Sequence, residues 1–115
     1  MTGQAVEARV DTILRRDLTR YFNEHAGRPA LVTYEYLRAG PTITGIAHPK
    51  YYVWVHADLG GDRVPVEGAA RIALVDSVAE VTHFFQRDPG TIAPPTLDSV
   101  FPAPVTATIR RQYWK

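Results

Sequence analysis

Histidine is the residue type in this chain that is best suited to acid–base or metal chemistry. The sequence has four histidines, of which His25 and His48 stand close to glycine or proline and are predicted to lie in loops. Cysteine is absent, which excludes disulfides, thiol nucleophiles and thiolate zinc sites. His56 and His83 lie in strand-like segments, so their neighbours decide what chemistry is available.

His56 has one carboxylate close to it in the sequence. Asp58 follows two positions later, which places both side chains on one face of a strand, where they could bind a metal ion. Two ligands are too few for a metal site. The Gly60-Gly61 pair lacks the lysine and the following helix of a phosphate-binding loop. We therefore predict no catalytic residue, no metal and no cofactor.

His83 shares a predicted apolar face with Tyr51 when the strands are paired about their turns. An imidazole beside a tyrosine hydroxyl could act as an acid–base pair, and burial would shift its pKa. The alternative is a histidine that is hydrogen-bonded within the core or at its rim. No acidic residue falls beside His83 on that face.

The elements that position these residues begin with a predicted helix at residues 5–25. Apolar side chains recur there at helical spacing along one side, and charged side chains fill most of the other. Gly27 and Pro29 then end the helix. Residues 30–38 have strand composition, and residues 51–85 alternate like an antiparallel meander. We predict an α+β fold in which one long N-terminal helix packs on a four-stranded antiparallel meander sheet, with an irregular C-terminal extension.

Two predicted turns, at residues 60–61 and 76–77, set the strand register of the meander. Centring the first turn pairs Tyr51 with Ala70, and centring the second pairs residue 68 with residue 85. A slip of one residue would exchange the two faces. One face is then apolar and is predicted to pack on the helix. It carries Tyr51, Val53, Val55, Ala57, Val64, Val66, Ala70, Ile72, Leu74, Val81, His83 and Phe85.

The other face of the predicted sheet is aromatic rather than simply polar. Tyr52, Trp54, Arg71 and Phe84 fall on it. Tryptophan, tyrosine and arginine together are the composition of protein-interaction hot spots. Two outcomes stay open: this face contacts a protein partner or a second copy of the chain, or the residues after Gln86 fold back and cover it.

The segment after Gln86 is interrupted by prolines. Residues 105–114 fit either a helix or a strand, and Pro104 favours the helix because proline suits the first helical position. Phe101, Val105 and Ile109 are the apolar side chains that would supply a cover.

One long helix before a curved antiparallel meander resembles the cystatin-like architecture, which includes cystatin inhibitors and NTF2-like binding proteins and enzymes. The resemblance spans residues 5–86 and is one of element order. Residues 41–45, PTITG, share a glycine and a β-branched residue with the Gln-x-Val-x-Gly of cystatins but lack the glutamine. The resemblance implies either enzyme inhibition or a ligand pocket between helix and sheet, here around Tyr34, Tyr51 and His83.

Charge and hydropathy exclude several kinds of partner. A net charge of +1, from 13 basic and 12 acidic residues, argues against nucleic acid and against an anionic membrane. No apolar run approaches the roughly 18 residues of a membrane span. The polar N-terminus shows no secretory signal, so we expect a cytoplasmic protein in which residues 1–115 form one domain.

We therefore expect a non-enzymatic binding or accessory protein that acts through a protein partner or as a homo-oligomer, such as a homodimer. One alternative is an NTF2-like protein that binds a small apolar ligand or acts as a cofactor-free enzyme. Another is an enzyme inhibitor or an immunity-type protein.

Overall fold

One long helix precedes all the strands. The computed structural model describes residues 2–115, with side-chain environments for residues 8–115, and this helix, α1, spans Thr2–Ala26. Its apolar side chains between Val10 and Phe22 are buried against the sheet. Gly27 follows with a left-handed φ of 68° and ends the helix, as the sequence predicts. No helix among the described residues is long and apolar enough to cross a membrane.

The four strands form one antiparallel sheet in the order β1-β2-β3-β4. Each strand pairs with its neighbour in sequence, which makes the sheet a meander. The predicted fold class is confirmed, and the order of elements is consistent with a cystatin-like architecture. The strand bounds are Leu31–Tyr36 for β1, Lys50–Asp58 for β2, Val66–Val75 for β3 and Val78–Gln86 for β4.

The register of β2 on β3 differs from the prediction by two residues. Tyr51 pairs with Ile72 rather than with Ala70. The two glycines do not form the whole turn, because residues 59–65 all lie in the connection between the strands. An even shift leaves the side chains within both strands on their predicted faces. Val64 was wrongly assigned to the helix face, because it lies in the connection and is 74% exposed.

The register of β3 on β4 contains a β-bulge, and the bulge overturns part of the face assignment. Ile72 pairs with Val81 as predicted, but Arg71 pairs with His83. One extra residue, Thr82, therefore lies in β4, and every later side chain changes face. His83 and Phe85 were wrongly assigned to the helix face, and Phe84 was wrongly assigned to the opposite face.

Packing explains why the bulge occurs where it does. Phe84, on the helix face, places its ring centroid 5.1 Å from that of Phe22. A side chain at Gly68 would overlap the Phe85 carbonyl oxygen and approach the Phe84 ring to 2.8 Å. Because Gly68 has no side chain, Phe84 has room to pack in the core. His83, the residue before it, is exposed to solvent.

The second sheet face is covered by the C-terminal segment. Helices α2, Leu97–Val100, and α3, Ala103–Thr108, lead into a π-helical turn at Ile109–Tyr113. Of the alternatives left open by the sequence, the structure shows the helix near residue 105 and the cover after Gln86. The cover and the sheet share a second core of Leu37, Tyr52, Trp54, Ala69, Leu97, Phe101, Val105, Ile109 and Trp114.

Candidate functional site: the open edge of the sheet

The three residues of the predicted pocket do not come together. Tyr34 and Tyr51 lie on the helix face, whereas His83 is exposed on the other face. The Tyr34 hydroxyl donates to the Asp11 carboxylate of α1. Burial, followed by this hydrogen bond, raises the pKa of Tyr34. The space between helix and sheet is occupied by core side chains that include Phe22 and Phe84.

The four residues predicted as an interaction face do not form one surface either. Tyr52 and Trp54 are 4% and 6% exposed, because the C-terminal segment packs on them. Phe84 lies on the helix face, and Arg71 donates from Nε to the Thr82 hydroxyl at 2.9 Å. The aromatic face is therefore mainly a second core.

One edge of the sheet, β4, is blocked near its start and interrupted in its middle. The backbone N–H of Ala79 donates to the Asp17 carboxylate of α1 at 2.8 Å. Further along, the bulge at Thr82 is held by its own hydroxyl, which donates to the Arg71 carbonyl at 3.0 Å. A bulge and an occupied amide are both devices that prevent another strand from pairing.

Two arginines hold the Asp17 carboxylate in place at that edge. Its carboxylate lies 2.9 Å from Arg16 Nε and 3.2 Å from Arg20. The hydrogen bond from Arg16 is the main cause that lowers the pKa of Asp17, in opposition to burial. Arg16 also donates to the Ser77 carbonyl at 2.9 Å, which fixes the turn before β4.

Among the residues whose side chains the structure describes, none blocks the backbone of the opposite edge, β1, in this way. The Leu37 N–H donates to the Tyr52 carbonyl at 2.8 Å, which sets the phase of hydrogen bonding between β1 and β2. Odd-numbered residues of β1 therefore bond to β2, and Val32 and Tyr34 direct their backbone N–H and C=O groups outward. No strand described in the structure pairs with β1 beyond this edge. Leu31, its first residue, is 71% exposed.

A groove runs beside this edge, on the sheet face that the C-terminal segment covers. It has a volume of about 470 Å³. The Tyr34 side chain points to α1, so Tyr34 contributes its main chain to the groove wall. The groove therefore reaches the outward-facing backbone of β1. Its lining residues are Thr33, Tyr34, Glu35, Trp54, His56, Glu67 and Tyr113.

The groove carries two carboxylates. The Tyr113 hydroxyl donates to Glu35 at 3.3 Å, and burial, followed by Glu35, raises the pKa of Tyr113. Glu67 lies 3.1 Å from His56 Nδ1 and 3.7 Å from the Arg87 guanidinium. Among the residues that the structure describes, no three His, Asp or Glu side chains are grouped to hold a metal. The groove is thus polar, acidic and flanked by the Trp54–Tyr113 stack.

The loop that follows β1 also presents apolar side chains. Ile43 and Ile46 are exposed near its tip. Two backbone hydrogen bonds between Thr42 and Lys50, at 2.9 Å, close the loop at its base. The Thr42 hydroxyl lies 2.6 Å from that of Tyr52, which anchors the loop to the second core. These contacts fix the path of the loop while its isoleucines face solvent.

Comparisons with protein-family models, with curated proteins and with solved structures find no match. The geometry and charge of the sheet edge are therefore the basis for assigning a function.

Sequence reasoning had not identified Thr33, Glu35 and Tyr113 as site residues. The alternation of Thr33 and Glu35 with Tyr34 in β1 was the available signal, but it becomes informative only when the pairing of β1 with β2 is known.

Proposed function

We propose that this protein is a non-enzymatic binding module that takes an extended segment of a protein partner as an additional strand beside β1. The observation that carries the proposal is the outward backbone of Val32 and Tyr34, beside a sheet whose other edge is blocked by Asp17. An added strand would satisfy those N–H and C=O groups, and pockets for its alternate side chains would give specificity.

Apolar side chains beside the edge support the proposal. Leu31 lies at the start of β1, and Ile43 and Ile46 lie in the loop after it. Isolated exposed apolar residues are ordinary on a protein surface. Here they lie on or next to β1, the edge strand that is open in the described part of the chain, where a partner would cover them. The element order also resembles that of cystatin inhibitors, which act by binding proteins.

Charge favours a foreign partner over a second copy of the chain. Antiparallel pairing of two β1 strands would bring two acidic grooves side by side, each with Glu35 on the edge strand. Like charges at neighbouring positions oppose such pairing. A partner with complementary charge meets no such repulsion.

The proposal is tested with peptides selected from a library of random short sequences displayed on phage. Two edge variants form a matched pair, because Leu31 and Val78 are both exposed first residues of edge strands, at 71% and 42% exposure. Lysine on an edge strand discourages pairing. We expect Leu31→Lys to weaken peptide binding by about tenfold or more, and Val78→Lys to leave it unchanged.

Equal weakening by both variants, or by neither, would contradict strand addition at β1. Backbone N-methylation of alternate peptide residues is a second arm, because it removes donors without changing the side chains. We expect methylation on the set of amides that faces β1 to abolish binding, and methylation on the alternate set to preserve it.

A further inference from the structure

We infer that the partner strand carries a lysine or arginine side chain that enters the groove between Glu35 and the His56–Glu67 pair. This inference rests on the proposed strand addition and specifies the chemistry of its occupant. It follows from the phase of β1, from the side chains that line the groove, and from their charges.

The alternation of inward and outward backbone hydrogen bonds along β1 decides which partner side chains reach the groove. Thr33 and Glu35 bond inward to β2, so toward an added strand they occupy non-hydrogen-bonded positions. Side chains that face each other at such positions approach most closely. Partner residues opposite Thr33 and Glu35 would also project to the same sheet face, which is the face of the groove.

The size of Thr33 leaves a path from the edge to the interior of the groove. Thr33 pairs with His56, and His56 pairs with Glu67, so the three residues form one row across three strands. Adjacent strands lie about 4.8 Å apart. A long side chain opposite Thr33 would extend over that small residue toward His56 and the carboxylate beyond it. A short side chain would stop at the strand edge.

The charges along this path favour a cation. The Glu35 carboxylate accepts a hydrogen bond from the neutral Tyr113 hydroxyl at 3.3 Å. Glu67 has the Arg87 guanidinium at 3.7 Å, a loose contact on the far side of the row from β1. Glu67 also contacts the His56 ring at 3.1 Å, so the groove sets two carboxylates against one arginine and one imidazole. An acidic side chain would meet Glu35 at the groove entrance, and a basic one would pair with it.

The aromatic wall is compatible with the same occupant. Tyr113 stacks on Trp54 with ring centroids 5.0 Å apart, and the π-helical turn places it there. π-helical turns are rare and occur often at functional sites. Aromatic rings attract cations and pack against the aliphatic stems of lysine and arginine. The groove therefore offers surfaces for both the stem and the charge.

The test uses a selected peptide as host and changes one guest residue, the one opposite Thr33. The amide of that guest residue faces away from β1. The residue therefore belongs to the set of peptide positions at which N-methylation preserves binding. The guest is set to lysine, threonine or glutamate, and binding to the full-length protein is measured by calorimetry at low salt. We expect lysine to bind about tenfold more tightly than glutamate, with threonine between them.

Variants of the protein identify the source of that preference. Glu35→Gln and Glu67→Gln should each reduce the difference between the lysine and glutamate guests. Glu80→Gln, which removes an exposed carboxylate from β4, should leave it unchanged. High salt should also reduce the difference, because exposed charges are screened.

Failure of the inference and failure of the proposed function have different signatures. In one case the three guest peptides bind equally, and methylation of the β1-facing amides still abolishes binding. That result would overturn the basic occupant and retain strand addition. Binding that survives that methylation would overturn both. A dimer that becomes monomeric in Leu31→Lys, as seen by sedimentation, would assign β1 to a second copy and also overturn the basic occupant.

Discussion

The two edges of this sheet are built in opposite ways. On β4, the Ala79 N–H is bound by Asp17, and a bulge at Thr82 breaks the regular backbone. On β1, Val32 and Tyr34 present regular outward backbone groups next to an acidic groove. Exposed regular edges carry a risk of aggregation. This contrast between the two edges is the basis of our proposal that β1 binds a partner strand.

Crowding at Gly68, beside the two phenylalanines that follow the β4 bulge, should cost most. Gly68→Ala places a methyl group against the Phe85 carbonyl and the Phe84 ring. We expect the free energy of unfolding to fall by about 1–3 kcal/mol, because overpacking forces side chains and backbone to shift. Urea unfolding followed by circular dichroism measures the change.

Gly90→Ala is the control for this variant. Gly90, unlike Gly68, has a left-handed φ, of 84°, and open space lies where its side chain would be. This variant should lose about 1–2 kcal/mol through backbone strain alone. A loss at position 68 smaller than that at position 90 would contradict crowding of a side chain at position 68.

Removal of the Asp17 carboxylate should free the Ala79 N–H and make the β4 edge more like the β1 edge. Asp17→Ala leaves the Ala79 N–H without its acceptor, at a cost of about 1–3 kcal/mol. Asp17→Asn retains an acceptor oxygen and should lose less. Amide exchange at Ala79 should accelerate in the alanine variant. Unchanged exchange there would show that Asp17 does not protect the edge.

Acid should reduce the contribution of Asp17 to the stability of the folded protein. The pKa of Asp17 is lowered in the folded protein, chiefly by Arg16. The unfolded chain, with an Asp pKa of about 3.9, therefore binds a proton first as the pH falls. The stabilisation is complete above that value and is lost as the pH drops through the lower folded pKa. Stability measured from pH 5 to pH 2 should fall less steeply in Asp17→Asn; an identical slope would contradict this.

The smallest effect on stability is expected from the edge variants themselves. Leu31→Lys and Val78→Lys alter exposed side chains, and such changes usually lie within about 0.5 kcal/mol. Thermal unfolding of both variants checks this. A large loss in either one would mean that its side chain supports the fold, and its effect on binding could not then be assigned to the edge.

The architecture was predictable because its signals are periodic. Helical spacing identified α1, and alternation identified the meander. The error in the β2–β3 register came from treating two glycines as a complete turn. It left the faces within the strands unchanged, because the shift was even, but it wrongly placed Val64 of the connection on the helix face.

The bulge and the groove were not predictable from pattern alone. Residues 83–85, HFF, fit either face, and the packing of Phe84 on Phe22 decides between them. The groove depends on the β1–β2 register and on a π-helical turn that carries Tyr113 back to Glu35. Contacts between residues so distant in the chain leave no local signal.

Amide hydrogen exchange of the full-length protein, with and without a selected peptide, tests strand addition most directly. Exchange at Val32 and Tyr34 should slow when the peptide binds, because their outward N–H groups acquire acceptors, and exchange along β4 should not change. Protection that appears along β4 or on α1, while β1 exchanges as before, would contradict the account.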